Sequence, residues 1–160
     1  STLSRTITTA RASPPPNTIK IIYITVAFRP GHPEVSPSNK LFGPAAASNL
    51  FVSGSPSTAI DPSIAPVEGD ILVEKKRVSA FSGSGLETVL RGLGVKRLVL
   101  AGVSTSGVVL ATVCQAFDLD FEVLVLRDLC VDKEPVHGVL MEEVFGKRGR
   151  LFWRMSGWRR

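Results

Sequence analysis

Ser104, Thr105, Ser106 and Gly107 stand one residue beyond an apolar run, residues 98–101, and the Gly102 that closes it. At the opening of a helix, three hydroxyls and a glycine leave backbone N–H groups pointing outward at the positive end of the helix dipole. That arrangement suits an anion, or the oxyanion that develops when a carbonyl is attacked. The same four residues also suit plain helix capping, and spacing alone leaves both readings open. Lys75, Lys76 and Arg77 stand together at the exit of a second apolar run. Arg29, His32 and Glu34 follow a third, at the kind of strand end where ligands bind in open α/β sheets. Arg29 is a candidate for substrate contact, whereas His32 and Glu34 read better as a solvated turn. His137 falls on a helical pattern and reads as a packing or surface residue. Serine or threonine catalysis needs a positioned base, and no His–Asp pair is evident in the sequence. The only cysteines, Cys114 and Cys130, form neither a CxxC nor a Cys/His cluster, so reduced thiols and no metal site are expected.

Apolar patterning supplies the elements that carry these side chains. Residues 19–28, rich in Ile, Tyr, Thr and Val, read as a buried strand broken by Arg29-Pro30-Gly31. Residues 70–74, 98–101 and 122–126 read as three further strands, the last with Arg127-Asp128 at its end. The end of a first helix is expected within residues 1–13, with Leu3, Ile7 and Ala10 at helical spacing and Pro14–Pro16 stopping it, and further helices over 86–93 and from 104 onward. A last amphipathic helix starts at 132–135, with Val136, Leu140, Val144 and Phe145 as its apolar side. Between them, residues 29–64 are heavy in Pro, Gly, Ser and Ala and read as a long loop, a lid or a mobile surface. Strands alternating with helices imply right-handed βαβ crossovers, hence an α/β fold with a mostly parallel sheet in three layers.

Composition bounds what such a chain does. With 160 residues, 44% hydrophobic content and a mean hydropathy of +0.20, it is read as one domain over residues 1–146 followed by a basic tail, 147–160. No apolar run reaches the eighteen or so residues of a membrane span and no signal-peptide pattern opens the chain, so no membrane association and a cytoplasmic location are expected. The net charge of +5 is unevenly placed. Lys147, Arg148, Arg150, Arg154, Arg159 and Arg160 supply six of the nineteen basic residues, and all fourteen acidic residues precede them. The body therefore carries thirteen basic against fourteen acidic residues and lacks the basic surface that nucleic-acid binding requires. The SGSG run at residues 82–85 lacks the GxxxxGK[ST] pattern of a phosphate loop, and no cofactor is expected.

The segment RLVLAGVSTSGVVLATVCQAFD, with AFRPGHPEVSPSNKLF and EKKRVSAFSGSGLETVLRGLG before it and EVLVLRDLCVDKEPVHGVLMEEVF after it, resembles the isochorismatase-like cysteine hydrolases. The resemblance covers residues 10–145 and implies a Rossmann-like sheet and hydrolysis of an amide, ester or vinyl-ether bond in a small molecule. It places the nucleophilic cysteine of the family at Val108, and the family's lysine at Lys75, six residues before the aromatic Phe81. An ammonium near the nucleophile favours thiolate over thiol and helps hold the charge formed on acyl attack. The family's aspartate ends an opening strand that nothing in residues 1–11 matches, so that strand and that carboxylate are expected to be missing from the sequence. Cys114 lies six residues beyond Val108, about 9 Å along a helix and on a different side, and is a poor substitute. Two readings follow: a hydrolase impaired by the loss of two of three catalytic positions, or a non-catalytic relative that binds a small carboxylate or a partner protein in the same cleft. The resemblance also implies self-association, for which Val136, Leu140 and Val144, with Phe152, Trp153 and Trp158, offer apolar surface.

Overall fold

Two parallel sheets carry the chain, and both are built from the continuous apolar runs of the sequence. The computed structural model describes residues 1–146 and the backbone of residues 150–152; Lys147, Arg148, Arg154, Arg159 and Arg160 of the basic tail, with Trp153 and Trp158, lie outside them. The chain divides into two compact units, residues 3–77 and residues from 78 onward.

In the first unit, α1 (Thr2–Arg11) starts on Ser1, whose hydroxyl accepts from the Ser4 N–H at 3.2 Å. Strand β1 (Ile22–Val26) lies parallel to β2 (Ile71–Lys75), in register from Ile22 opposite Ile71 to Val26 opposite Lys75. The intervening segment is less featureless than its composition suggests, since it holds α2 (Gly43–Ala47) and two short 3-10 turns, Pro56–Thr58 and Pro62–Ile64. Phe28, fully buried, meets Phe42 edge to face at 5.4 Å and His32 at 5.3 Å. His32 is not part of a solvated turn. It is buried, and its Nε2 lies 2.6 Å from the Leu50 carbonyl oxygen, a bond that folds the 29–50 loop onto the phenylalanines. Arg11 pins α1 to the sheet through Asp70, at 2.5 Å, and through the Tyr23 hydroxyl, at 3.0 Å.

In the second unit, α3 (Leu86–Gly92) buries Leu86 and Leu90, and β3 (Arg97–Val103) lies parallel to β4 (Glu122–Val131). One turn of π-helix, Thr105–Val109, leads from β3 into α4 (Leu110–Asp118). Strand β4 runs five residues beyond the expected 122–126, so Arg127 and Asp128 lie within it, and so does Cys130. After it come α5 (Val136–Val139) and a second π-helical turn, Leu140–Phe145. Met141 and Phe145, four residues apart, form the buried side of this region, whereas Val136 is exposed. Within the expected tail lies β5 (Arg150–Phe152), parallel to β4 from Leu124 opposite Arg150. The core of this unit joins Leu98 and residues 123–126 of the sheet to Val113 and Ala116 of α4, Leu90, Phe121, Met141 and Phe145.

Candidate functional site

Strands β3 and β4 end together, and this decides what surrounds the turn at residues 104–107. Val103 pairs with Val131, so the next residues of both strands leave the sheet side by side. Gly102, at φ +141°, has a backbone conformation that only glycine adopts readily, and the ladder shifts register there. The following Val103–Ser104 peptide is cis. Ser104 is extended and the helix starts at Thr105. Gly107 is held small by its neighbour: a Cβ there would lie 2.8 Å from the Ser104 hydroxyl oxygen.

Two side chains from the segment after β4 hold this turn. Thr105 is fully buried, with its Oγ1 2.9 Å from His137 Nδ1. The N–H and the hydroxyl of Ser106 both donate to Asp132 Oδ2 at 2.6 Å, and the Lys133 N–H donates to Asp132 Oδ1 at 2.8 Å. Ser106's hydroxyl, its N–H, the Lys133 N–H and nearby His137 hold the Asp132 carboxyl below the usual range. A carboxylate of the protein thus already occupies part of the positive end of the helix. His137, read from sequence as a packing or surface residue, is half-buried and packs against Thr105, and His137 and Asp132 meet at a turn where the sequence shows no such pair. No sequence signal names them. Their approach depends on β4 reaching Val131, which a strand ending at 126 hides.

Val108 stands in the first helical turn, half-buried, and its carbonyl accepts from the Thr112 hydroxyl at 2.7 Å. The Thr112 oxygen in turn accepts from the Ala80 N–H at 3.0 Å, which ties the helix to the segment carrying Phe81. Phe81 is buried and stacked on Phe121, with centroids 6.0 Å apart, as a core residue of this unit. Cys130, buried in β4, has its thiol pushed up to about 11 by burial, which makes it a poor nucleophile at neutral pH. Cys114 is half-buried on α4.

Lys75, Lys76, Arg77, Arg29 and Glu34 belong to the first unit. Lys75 is the last residue of β2 and shares the buried face of that strand with Val73, two positions before it. It is 5% exposed, its Nζ donates to the Arg77 carbonyl at 2.7 Å, and burial lowers its pKa to about 8. Lys76 and Arg77 are half-buried and bonded to backbone carbonyls. Lys76 Nζ donates to the Ala27 carbonyl at 2.6 Å, and Arg77 donates to the Lys76 and Glu34 carbonyls at 2.6 and 2.9 Å. Arg29 is exposed and ion-paired with Glu34 at 2.6 Å, which holds the Glu34 carboxyl below its ordinary pKa. Among the described residues no cluster of His, Cys, Asp or Glu has the makings of a metal site, and no helix is long and apolar enough to cross a membrane.

Parallel strands alternating with helices, and a glycine-closed strand feeding a hydroxyl-lined helix start, define an α/β protein of Rossmann-like type with its candidate chemistry at a strand-to-helix turn. The chain belongs to the isochorismatase family, whose domain model matches residues 1–140. It is 37% identical over 103 residues to the ureidoacrylate amidohydrolase RutB of Stutzerimonas stutzeri, covering 62% of this chain and 42% of that protein. It is 31% identical over 107 residues to a maleamate amidohydrolase of Pseudomonas putida, covering 66% of this chain and 50% of that one. The chain therefore spans half or less of the length of these two relatives. Its fold is that of an isochorismatase family protein from Desulfovibrio vulgaris, with a TM-score of 0.81 at 23% identity over 94% of this chain and 77% of the other.

Proposed function

We propose that the turn at residues 104–107 binds the uncharged carbonyl of a small amide, and that the chain as it stands does not hydrolyse it through a thiol. The observation that carries this reading is the pairing of Val108, at the position where the resemblance puts the nucleophile, with the Asp132 carboxylate at the same helix start. A valine has no nucleophilic atom. An anionic ligand would meet Asp132 at the same donors, whereas a neutral carbonyl oxygen accepts from N–H groups without that repulsion. The relatives' names support an amide carbonyl as the group bound here, since ureidoacrylate and maleamate each carry one beside a carboxylate, which in this reading lies away from Asp132. Neither remaining thiol restores the chemistry: Cys130 is buried with a raised pKa, and Cys114 stands further along α4. Lys75 stands at the family lysine's position by resemblance, and burial lowers its pKa to about 8. A cytoplasmic location and self-association belong to the same reading.

The test is to assay the chain against a panel of small amides with and without iodoacetamide, and to titrate the same amides and their acids by calorimetry. Binding of amides without turnover is expected, and Val108→Cys alone adds at most weak activity, because catalytic groups that act as a unit are not restored one at a time. Robust turnover that alkylation abolishes would show that Cys114 or Cys130 is a working nucleophile. Asp132→Asn is expected to raise the affinity for acids relative to amides; an unchanged ratio removes the case for a neutral ligand.

A further inference from the structure

The loop after β1, together with α2, shapes an open hollow of roughly 670 Å³, a volume within the range of small-molecule sites. Its wall is mostly carbon, with Val35, Pro37, Pro44 and Ala46 among the lining residues. Its polar lining includes the Ser38 hydroxyl, 2.8 Å from that of Ser36, and the donor ends of Lys40 and Asn39. Asn39 Oδ1 is occupied, accepting from the N–H groups of Leu41 and Phe42 at 3.0 and 2.9 Å, which fixes the amide plane and leaves the Asn39 NH₂ as its free end. His32 Nε2 is likewise committed, to the Leu50 carbonyl. Lys40 makes no ion pair among the described residues, and no carboxylate lines the cavity.

We propose that this cavity is a binding site for a small monocarboxylate with an apolar body, with Lys40 and the Asn39 NH₂ receiving the carboxylate and Val35, Pro37, Pro44 and Ala46 covering the carbon chain. Charge selects the head group: an ammonium and an amide donor with no competing anion favour a carboxylate over an alcohol or an amine. Shape selects the body, since apolar surface leaves water only where carbon meets carbon. The wall is set before the ligand arrives, because Asn39 and His32 are each tied to loop backbone, and a preformed site spends less of its binding energy on ordering. This site lies wholly within the first unit and is independent of the carbonyl-binding reading of residues 104–107.

The experiment is a titration of the full chain with hexanoate, hexanol and hexylamine, followed by calorimetry and by amide chemical shifts. Hexanoate is expected to bind one to one and at least roughly tenfold tighter than either neutral or cationic analogue, with shifts centred on residues 31–47. Lys40→Gln, a change at an exposed side chain, is expected to bring hexanoate down to the level of hexanol. Ala46→Trp is expected to fill the cavity and abolish both. The proposal is overturned if hexanoate shows no preference over hexanol, if Lys40→Gln leaves that preference intact, or if the shifts centre on residues 104–107. Should Ala46→Trp fail to fold, the Lys40→Gln titration and the shift map decide the matter by themselves.

Discussion

Asp70 shows how one side chain couples a local contact to solution behaviour. It is nearly buried, and burial alone opposes its charge, but the Arg11 guanidinium and the Val67 N–H prevail and hold its carboxyl below the usual pKa. A carboxyl whose folded pKa is depressed contributes stability that is present above its unfolded value, about 3.9, and lost as pH falls through the folded value. Urea midpoints measured from pH 6 down to pH 2 should therefore fall below about pH 4 in the native chain and fall less steeply in Asp70→Asn, which starts from a lower plateau. Equal slopes would show that the pair contributes no pH-dependent stability. Lys75 teaches a different lesson about legibility. In sequence it heads a run of three cations, the pattern of a solvated turn, yet the two-residue alternation of β2 puts it on the same buried face as Val73. The run concealed the strand's last residue, and only the family resemblance distinguished Lys75 from its neighbours.

Among the elements, those with unbroken apolar runs were legible, and errors collected at their ends. Residues 123–126 of β4 are all buried, a continuous run that reads plainly as a strand. Its last five residues open with the two charges of Arg127 and Asp128, and Asp128 and Val131 are exposed, so they look like an exit. The extension places Val131 opposite Val103 and brings Asp132 to Ser106, so the site's least expected contact depended on that misread end. The helix start it serves has a sharper signature. Gly107→Ala would set a Cβ 2.8 Å from the Ser104 hydroxyl and should destabilise the chain by about 1–3 kcal/mol, the usual range for overpacking. Ser104→Ala in the same chain removes the obstructing oxygen, and the pair should recover most of the loss in a double-mutant cycle read by urea unfolding. Additive losses would mean that Gly107 is required for a different reason. In the last helical region, Phe145 of the expected apolar side is buried, but with Met141 rather than Val136, because the π-helical turn at Leu140–Phe145 shifts the phase from 100° per residue. Phe145→Ala should cost about 3–5 kcal/mol, and exposed Val136→Ala within about 0.5 kcal/mol. Comparable losses would contradict this assignment of faces.

At the scale of the whole molecule, the two sheets leave strand edges that have no strand partner among the described residues. β1 pairs only with β2, and β3 pairs only with β4. Each open edge presents a row of N–H and C=O groups able to pair with another chain, and neither strand carries the lysines or prolines that usually blunt such edges. Apolar surface adds to this in the second unit, where Val103 and Val131, opposite each other in the ladder, are 70% and 59% exposed, with Val136 and Val139 of α5 also exposed. A two-stranded sheet is marginal in water, so association that covers these edges gains hydrogen bonds and buried carbon together. The chain is therefore expected to scatter light as species heavier than its 17.2 kDa at micromolar concentration, and to unfold with an apparent midpoint that rises with concentration. Val103→Lys places a charge at an exposed position of the β3 edge strand and should shift the mass toward monomer without lowering the midpoint extrapolated to low concentration. A monomeric mass at all concentrations, with a reversible melt above roughly 60 °C, the upper end of the mesophile range, would mean that these edges are already protected within one chain.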